Sequence, residues 1–168
     1  AAIMVLAATV PSARSGQTRL APYVSTPPDV VERLLRLADV GPSDTVYDLG
    51  SGDGRIVIAA ACRFGARGVG VDIDPALVAR AQAAARTAGV EDRVTFRVED
   101  AMAADVSDAT VVTLYLLAAS NVKLRPRLQA QLRPGARIVS HNFGMGDWEP
   151  DKVDTFRDAA GVTRTLYL

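Results

Sequence analysis

The chain is poor in the residues that most often build metal sites and covalent catalytic sites. It has one cysteine, Cys62, and one histidine, His141, among 168 residues. A lone cysteine excludes an intrachain disulfide framework, and with a single histidine it argues against a zinc site, so no metal is expected. Charge of one sign is not in excess either: 19 Lys and Arg face 19 Asp and Glu, for a net charge of zero. Such a chain has no bulk electrostatic reason to seek a polyanion, so nucleic acid is not an expected partner. No apolar run reaches the ~18–20 residues of a membrane span. What is present is a hydrophobic fraction of 49% in one domain's length of sequence, enough for a sizeable core.

Residues 1–20 are set apart from the fold that follows. Ala1–Val10 reads AAIMVLAATV without a charge, and Ala13-Arg14-Ser15 comes shortly after it. The pattern fits either the apolar core and cleavage region of a secretory signal, or an ordinary N-terminal helix or frayed tail. The first reading implies a membrane-associated or exported address; otherwise a cytoplasmic one is expected. Residues 21–168 are expected to form the folded domain.

From Pro22 onward, helix and strand periods alternate. Thr26-Pro27-Pro28-Asp29 is a helix start, followed by Val30, Val31, Leu34 and Leu35 at helical spacing. Strands are expected at Thr45–Leu49, Gly68–Asp72, Arg93–Val98, Thr110–Leu117, Arg137–Asn142 and Thr163–Leu168. Helices are expected at Ile56–Phe64, Pro75–Ala88 and Asn121–Leu132, with Cys62 as inert packing in the first of these. Strand–helix alternation with short connections predicts an α/β fold with a doubly wound, mostly parallel sheet.

The informative stretch is Asp48-Leu49-Gly50-Ser51-Gly52-Asp53-Gly54-Arg55. In open α/β sheets ligands bind beyond the carboxyl ends of the strands, where strand order reverses. Glycines at 50, 52 and 54 permit positive φ and keep Cβ atoms away from a ligand. Asp72 ends the next predicted strand 24 residues after Asp48, close to the ~20-residue offset at which an acid meets ribose hydroxyls. Asp74 precedes Pro75 and is better placed as a helix cap. Asp100 follows the third predicted strand, where a carboxylate can accept from the exocyclic amine of a purine. The dinucleotide pattern G-x-G-x-x-G is not met, because the third glycine comes one residue early. Asp48 and Asp53 would repel a pyrophosphate but attract an ammonium or a sulfonium. S-adenosylmethionine carries both cations and no phosphate, so the charge pattern favours it over NAD.

Asp48-Leu49-Gly50-Ser51-Gly52-Asp53-Gly54, Gly70-Val71-Asp72-Ile73-Asp74 and Glu99-Asp100-Ala101 together resemble the three cofactor motifs of class I S-adenosylmethionine-dependent methyltransferases. A closer resemblance is to the small protein-lysine methyltransferases related to the mitochondrial ATP synthase c-subunit lysine methyltransferase. It rests on Pro22-Tyr23-Val24-x-Thr26-Pro27, Thr113-Leu114-Tyr115-Leu116-Leu117 and Ser140-His141-x-Phe143-x-Met145-Gly146-Asp147-Trp148, and spans residues 22–168. The resemblance implies a Rossmann-like methyltransferase fold. It implies that Asp48 with Gly50, Ser51, Gly52 and Gly54 holds the methionine part of the cofactor. Asp72 and Ile73 would meet the ribose, Asp100 and Ala101 the adenine, and Tyr23 and Thr26 would close over it as a lid. Members usually finish their sheet with an antiparallel hairpin. One strand pattern, Thr163–Leu168, is visible here, so either the chain stops short of the hairpin's other strand or the sheet lacks its final edge strand.

Methyl transfer is an in-line displacement that needs alignment and exclusion of water rather than an enzyme nucleophile. Candidates for the acceptor side follow the fourth and fifth predicted strands. Tyr115 and His141 are the catalytic candidates, and Tyr115, Asn142 and Trp148 the substrate contacts. The expected acceptor is a protein lysine. A small-molecule acceptor, a cofactor-binding domain without transfer activity and a nicotinamide-dependent oxidoreductase stay open at this point. Oligomeric state is not legible.

Overall fold

A computed structural model describes residues 23–168, so the expected N-terminal segment lies outside the described residues. The elements in chain order are α1 (Pro28–Leu37), β1 (Thr45–Leu49), α2 (Arg55–Phe64), β2 (Arg67–Asp72) and α3 (Pro75–Thr87). They continue as β3 (Val94–Val98), β4 (Val111–Leu114), α4 (Ala118–Gln131), β5 (Arg137–His141), β6 (Val153–Arg157) and β7 (Thr163–Tyr167). Strand order in the single sheet is β3-β2-β1-β4-β5-β7-β6. β1 pairs in parallel with both β2 and β4, β2 with β3, and β4 with β5, while β7 runs antiparallel between β5 and β6. The doubly wound, mostly parallel architecture is the expected one. Among the described residues no helix is long and apolar enough to cross a membrane.

Two corrections concern the strands. The sheet does not lack its final edge: β6 and β7 form an antiparallel hairpin with Val153 opposite Tyr167 and Arg157 opposite Thr163. β6 escaped notice because its inward positions are Asp154 and Phe156 rather than two aliphatics. Arg33 of α1 satisfies both, donating to the Asp154 carboxylate at 2.6 and 2.8 Å and lying 4.1 Å over the Phe156 ring. β4 also stops at Leu114 rather than Leu117, level with the end of β1 at Leu49 and with Ser140 of β5. The three residues released, Tyr115–Leu117, leave the sheet at its carboxyl edge, and α4 begins a turn earlier than the periodicity indicated.

The core lies on both faces of the central strands. Val30, Val31, Leu34 and Leu35 of α1 pack with Val46, Val111, Val139 and Leu166 on one face. On the other, Leu124 and Leu128 of α4 pack with Leu49, Val112 and Leu114. Every residue of β4 is buried, as expected of a strand covered on both sides. A third cluster joins α2 and α3 over β3 through Val57, Val78, Ala81 and Phe96. Cys62, read as packing, is instead exposed on the solvent side of α2.

Gly54 is the N-cap of α2 at φ +79°, and a Cβ there would sit 2.6 Å from the Phe96 ring and 2.8 Å from Ala81 Cβ. Gly54→Ala therefore combines a left-handed backbone with overpacking. The expected loss is at least ~1–3 kcal/mol of stability, read as a lower midpoint in denaturant unfolding at unchanged m-value.

Candidate active site

The sheet's strand order reverses on either side of β1, and a crevice opens above its carboxyl end. Three successive strand ends bring acids to it. Asp48 in β1, Asp72 at the end of β2 and Asp100 after β3 all line one cleft, together with Tyr23, Thr26, Gly50, Ser51, Gly52, Ile73, Ala101 and Tyr115.

The turn after β1 is tied down rather than loose. Gly50 and Ser51 both donate their N–H to the Val71 carbonyl at 2.9 Å. Asp72 Oδ2 accepts from Gly52 N–H at 2.8 Å, and its Oδ1 accepts from Asp74 N–H at 2.9 Å. One carboxylate thus braces the turn and the start of α3, and each of its oxygens keeps a further lone pair. Asp74 caps α3 through Ala76 N–H at 2.9 Å, as its place before Pro75 suggested. Asp100 is oriented by Met102 N–H, 2.9 Å from its Oδ1. Ser51 Oγ is buried without a hydrogen-bond partner among the described residues.

Asp48 is the most perturbed group at the site. It is 3% exposed, and its hydrogen bond among the described residues comes from Thr113 Oγ1 at 2.7 Å. Burial, opposed by that hydrogen bond and reinforced by the charges of Asp72 and Asp53, pushes its pKa up to about 7. The folded chain therefore holds this proton more tightly than the unfolded chain does. Asp48 costs stability increasingly as pH rises from about 4 to about 7. A buried carboxylate of this kind gains from any cation delivered beside it. Asp53 differs: Arg55 donates to both its oxygens, at 2.9 and 2.6 Å, and holds its pKa below the usual range. The turn thus presents one compensated acid and one uncompensated acid.

The glycines also serve the protein's own side chains. All three have positive φ, but a Cβ at Gly50 would meet Leu116 Cδ2 at 2.9 Å and one at Gly52 the Tyr23 ring at 2.5 Å. Tyr23 lies across the turn, and Arg55 Nη1 holds the same segment through the Thr26 carbonyl at 2.9 Å. Gly54, expected with the cofactor residues, is not in the lining; its bare Cα admits Phe96 and Ala81.

Acceptor-side expectations fare less evenly. Tyr115 lines the cleft. His141 does not: it is fully buried behind Tyr115, their ring centroids 3.9 Å apart, and burial with the Arg164 charge pushes its pKa down to about 4. Asn142 takes a positive φ of 62° and exchanges hydrogen bonds with Thr165 on β7, so it locks the hairpin to β5. Trp148 lines a different cavity, beside Leu132, Ile138 and Leu168, with Arg125 5.5 Å over its ring. Sequence reasoning missed Asn121. It is fully buried in α4, and its Nδ2 donates to Ser140 Oγ at 3.0 Å and the Phe143 carbonyl at 2.9 Å, fixing the loop after β5. A polar pair, Ser120 and Asn121, on the same helix face as Leu124 and Leu128 was the available signal. Thr113, inside an apolar run, carried no signal at all. Glu99 and Leu116 also line the cleft.

Strand order, the acid-ended glycine turn and a buried carboxylate suited to an ammonium define a class I S-adenosylmethionine-dependent methyltransferase. The ANTKMT methyltransferase domain matches residues 48–152, and the chain belongs to that family. A protein-lysine N-methyltransferase of Saccharolobus islandicus is 43% identical over 148 residues, spanning 88% of this chain and 91% of the relative. The adenine nucleotide translocase lysine N-methyltransferase of Mus musculus is 38% identical over 130 residues; this chain spans only 56% of its length. Among solved structures, an RNA methyltransferase from Salinibacter ruber in complex with S-adenosyl-L-homocysteine is 56% identical. It aligns with a TM-score of 0.80 over 86% of this chain and 92% of that one.

An ammonium bound beside Asp48 displaces its proton, so cofactor binding should release protons near neutrality. S-adenosylhomocysteine should bind progressively more weakly below pH 7, by up to about tenfold per unit. Calorimetry at pH 6, 7 and 8 in buffers of different ionisation enthalpy checks this; Asp48→Asn should abolish the pH dependence.

Proposed function

We propose that this chain transfers the methyl group of S-adenosylmethionine to the side-chain amine of a lysine in a polypeptide. The reading is carried by the 43% identity to a protein-lysine N-methyltransferase across nearly the whole of both chains. The cofactor supplies a methyl group on a sulfonium, open to in-line attack. Asp48 holds the methionine ammonium, and the amides of the turn from Gly50 to Gly52 border the same end of the ligand. Asp72 takes the ribose hydroxyls on its remaining lone pairs, with Ile73 beside the sugar. Asp100 and the Ala101 amide take the adenine. Tyr23 and Thr26, in the strap held by Arg55, cover the cofactor and exclude water.

The acceptor amine arrives at Tyr115. A lysine must shed its proton before it attacks, although its ordinary pKa is ~10.4. An aromatic wall holds the ammonium by cation–π attraction, and desolvation there lowers its pKa until the proton leaves to solvent. His141 is out of reach as a base, being fully buried and absent from the cleft lining. Tyr23, Val24 and Leu117 leave exposed apolar surface on the strap and on the segment after Tyr115. That surface suits a neutral polypeptide better than a phosphate backbone.

A second reading, methyl transfer to RNA, is favoured by the description of the 56% identical Salinibacter structure. A net charge of zero weighs against it. Incubating the protein with tritiated S-adenosylmethionine and a lysate of its source cell, then locating the label by mass spectrometry, separates the two. Label on lysine side chains of protein is the expected result. Label confined to RNA or to small molecules overturns the lysine reading.

A further inference from the structure

His141 is among the largest fully buried side chains, and the proposed chemistry does not use it. Among the described residues neither of its ring nitrogens has a hydrogen-bond partner. Burying an imidazole this way is costly, and an aliphatic side chain would fill the space without the desolvation penalty. What an aliphatic chain cannot supply is a flat aromatic face. The imidazole presents one to Tyr115, with centroids 3.9 Å apart and planes inclined by 32°. Tyr115 has just left β4, beyond the last rung of its ladder with β1, so that ladder no longer holds its backbone. Its ring is only half-buried, and it lines the cleft.

We propose that His141 is a positioning residue, whose ring backs Tyr115 and sets the aromatic wall against which the acceptor amine is aligned. This rests on the reading that the acceptor amine enters beside Tyr115. The charged groups bearing on His141 are Arg164 of β7 and Asp158 of the β6–β7 turn, themselves paired at 2.8 Å. Burial, aided by the Arg164 charge and opposed by that of Asp158, keeps the imidazole uncharged at neutral pH, so the wall does not repel an incoming ammonium. A phenylalanine at 141 would serve the same purpose, and a leucine would not.

The full chain labelled with fluorotyrosine gives one fluorine resonance for each of its four tyrosines. Tyr115→Phe identifies the resonance of Tyr115. In His141→Leu that resonance should move toward the position of free tyrosine, while His141→Phe keeps it displaced. Affinity for S-adenosylhomocysteine should change less than about twofold in either variant, since His141 does not line the cleft. On whichever acceptor the lysate experiment labels, His141→Leu should lower transfer roughly ten- to a hundredfold, mainly in kcat, as a wall displaced by a fraction of an ångström would. His141→Phe should restore most of it at every pH from 6 to 9. Combined with Tyr115→Ala, His141→Leu should cost nothing more. An unmoved Tyr115 resonance in His141→Leu overturns the proposal. So does a His141→Phe protein that binds S-adenosylhomocysteine normally but transfers no methyl, because a ring nitrogen would then be required. Label on an acceptor other than lysine defeats the lysine reading and leaves the fluorine result to decide this one.

Discussion

A carboxylate taken out of water at the floor of the cleft is the constraint around which the rest of the site is arranged. Asp48 sits in the middle of the sheet, with β2 on one side and β4 on the other, and Thr113 Oγ1 is the hydrogen-bond donor the protein gives it. That destabilising burial makes the site selective, because a cation brought beside Asp48 recovers energy that an anion or a neutral group cannot. The neighbouring acid, Asp53, is neutralised by Arg55, so positive charge is drawn to one end of the turn rather than to the whole of it. The charges at this turn would repel a pyrophosphate and attract an ammonium or a sulfonium.

Around that acid, two devices hold the geometry. The Val71 carbonyl and the Asp72 carboxylate take the backbone N–H groups of Gly50, Ser51 and Gly52, so the turn is shaped by β2 before any ligand arrives. Asp72 therefore combines a structural task with its proposed role at the ribose. On the acceptor side, buried Asn121 ties α4 to the loop after β5, and the His141 ring packs against Tyr115 at a tilt. The strap from Tyr23 to Thr26 crosses between the two sides, its ring filling the space that Gly52 leaves.

The fold class and the floor of the site were legible in the sequence because both depend on local rules. Glycine spacing, acids at strand ends and a proline-led helix start report backbone geometry directly. Asp48, Asp72 and Asp100 meet in one cleft because a parallel sheet places successive strand ends side by side. The hairpin edge was not legible: β6 turns Asp154 inward, where it pairs with the distant Arg33. Gly54 matched the motif yet packs against Phe96, since a left-handed helix cap and a ligand contact leave the same mark in sequence. His141, Asn142 and Trp148 follow a strand in a way that suggests substrate contact. In the structure their contacts are with partners far along the chain, Tyr115, Thr165 and the wall of a second cavity.

The central claim is that this crevice is shaped and charged for an adenosyl ligand bearing an ammonium and no phosphate. Calorimetric titration of the purified chain with S-adenosylhomocysteine and, separately, with NAD tests it most directly. The account predicts saturable binding of S-adenosylhomocysteine at one site per chain, and no heat from NAD beyond dilution. Tight binding of NAD, or no binding of S-adenosylhomocysteine to the folded protein, would contradict it.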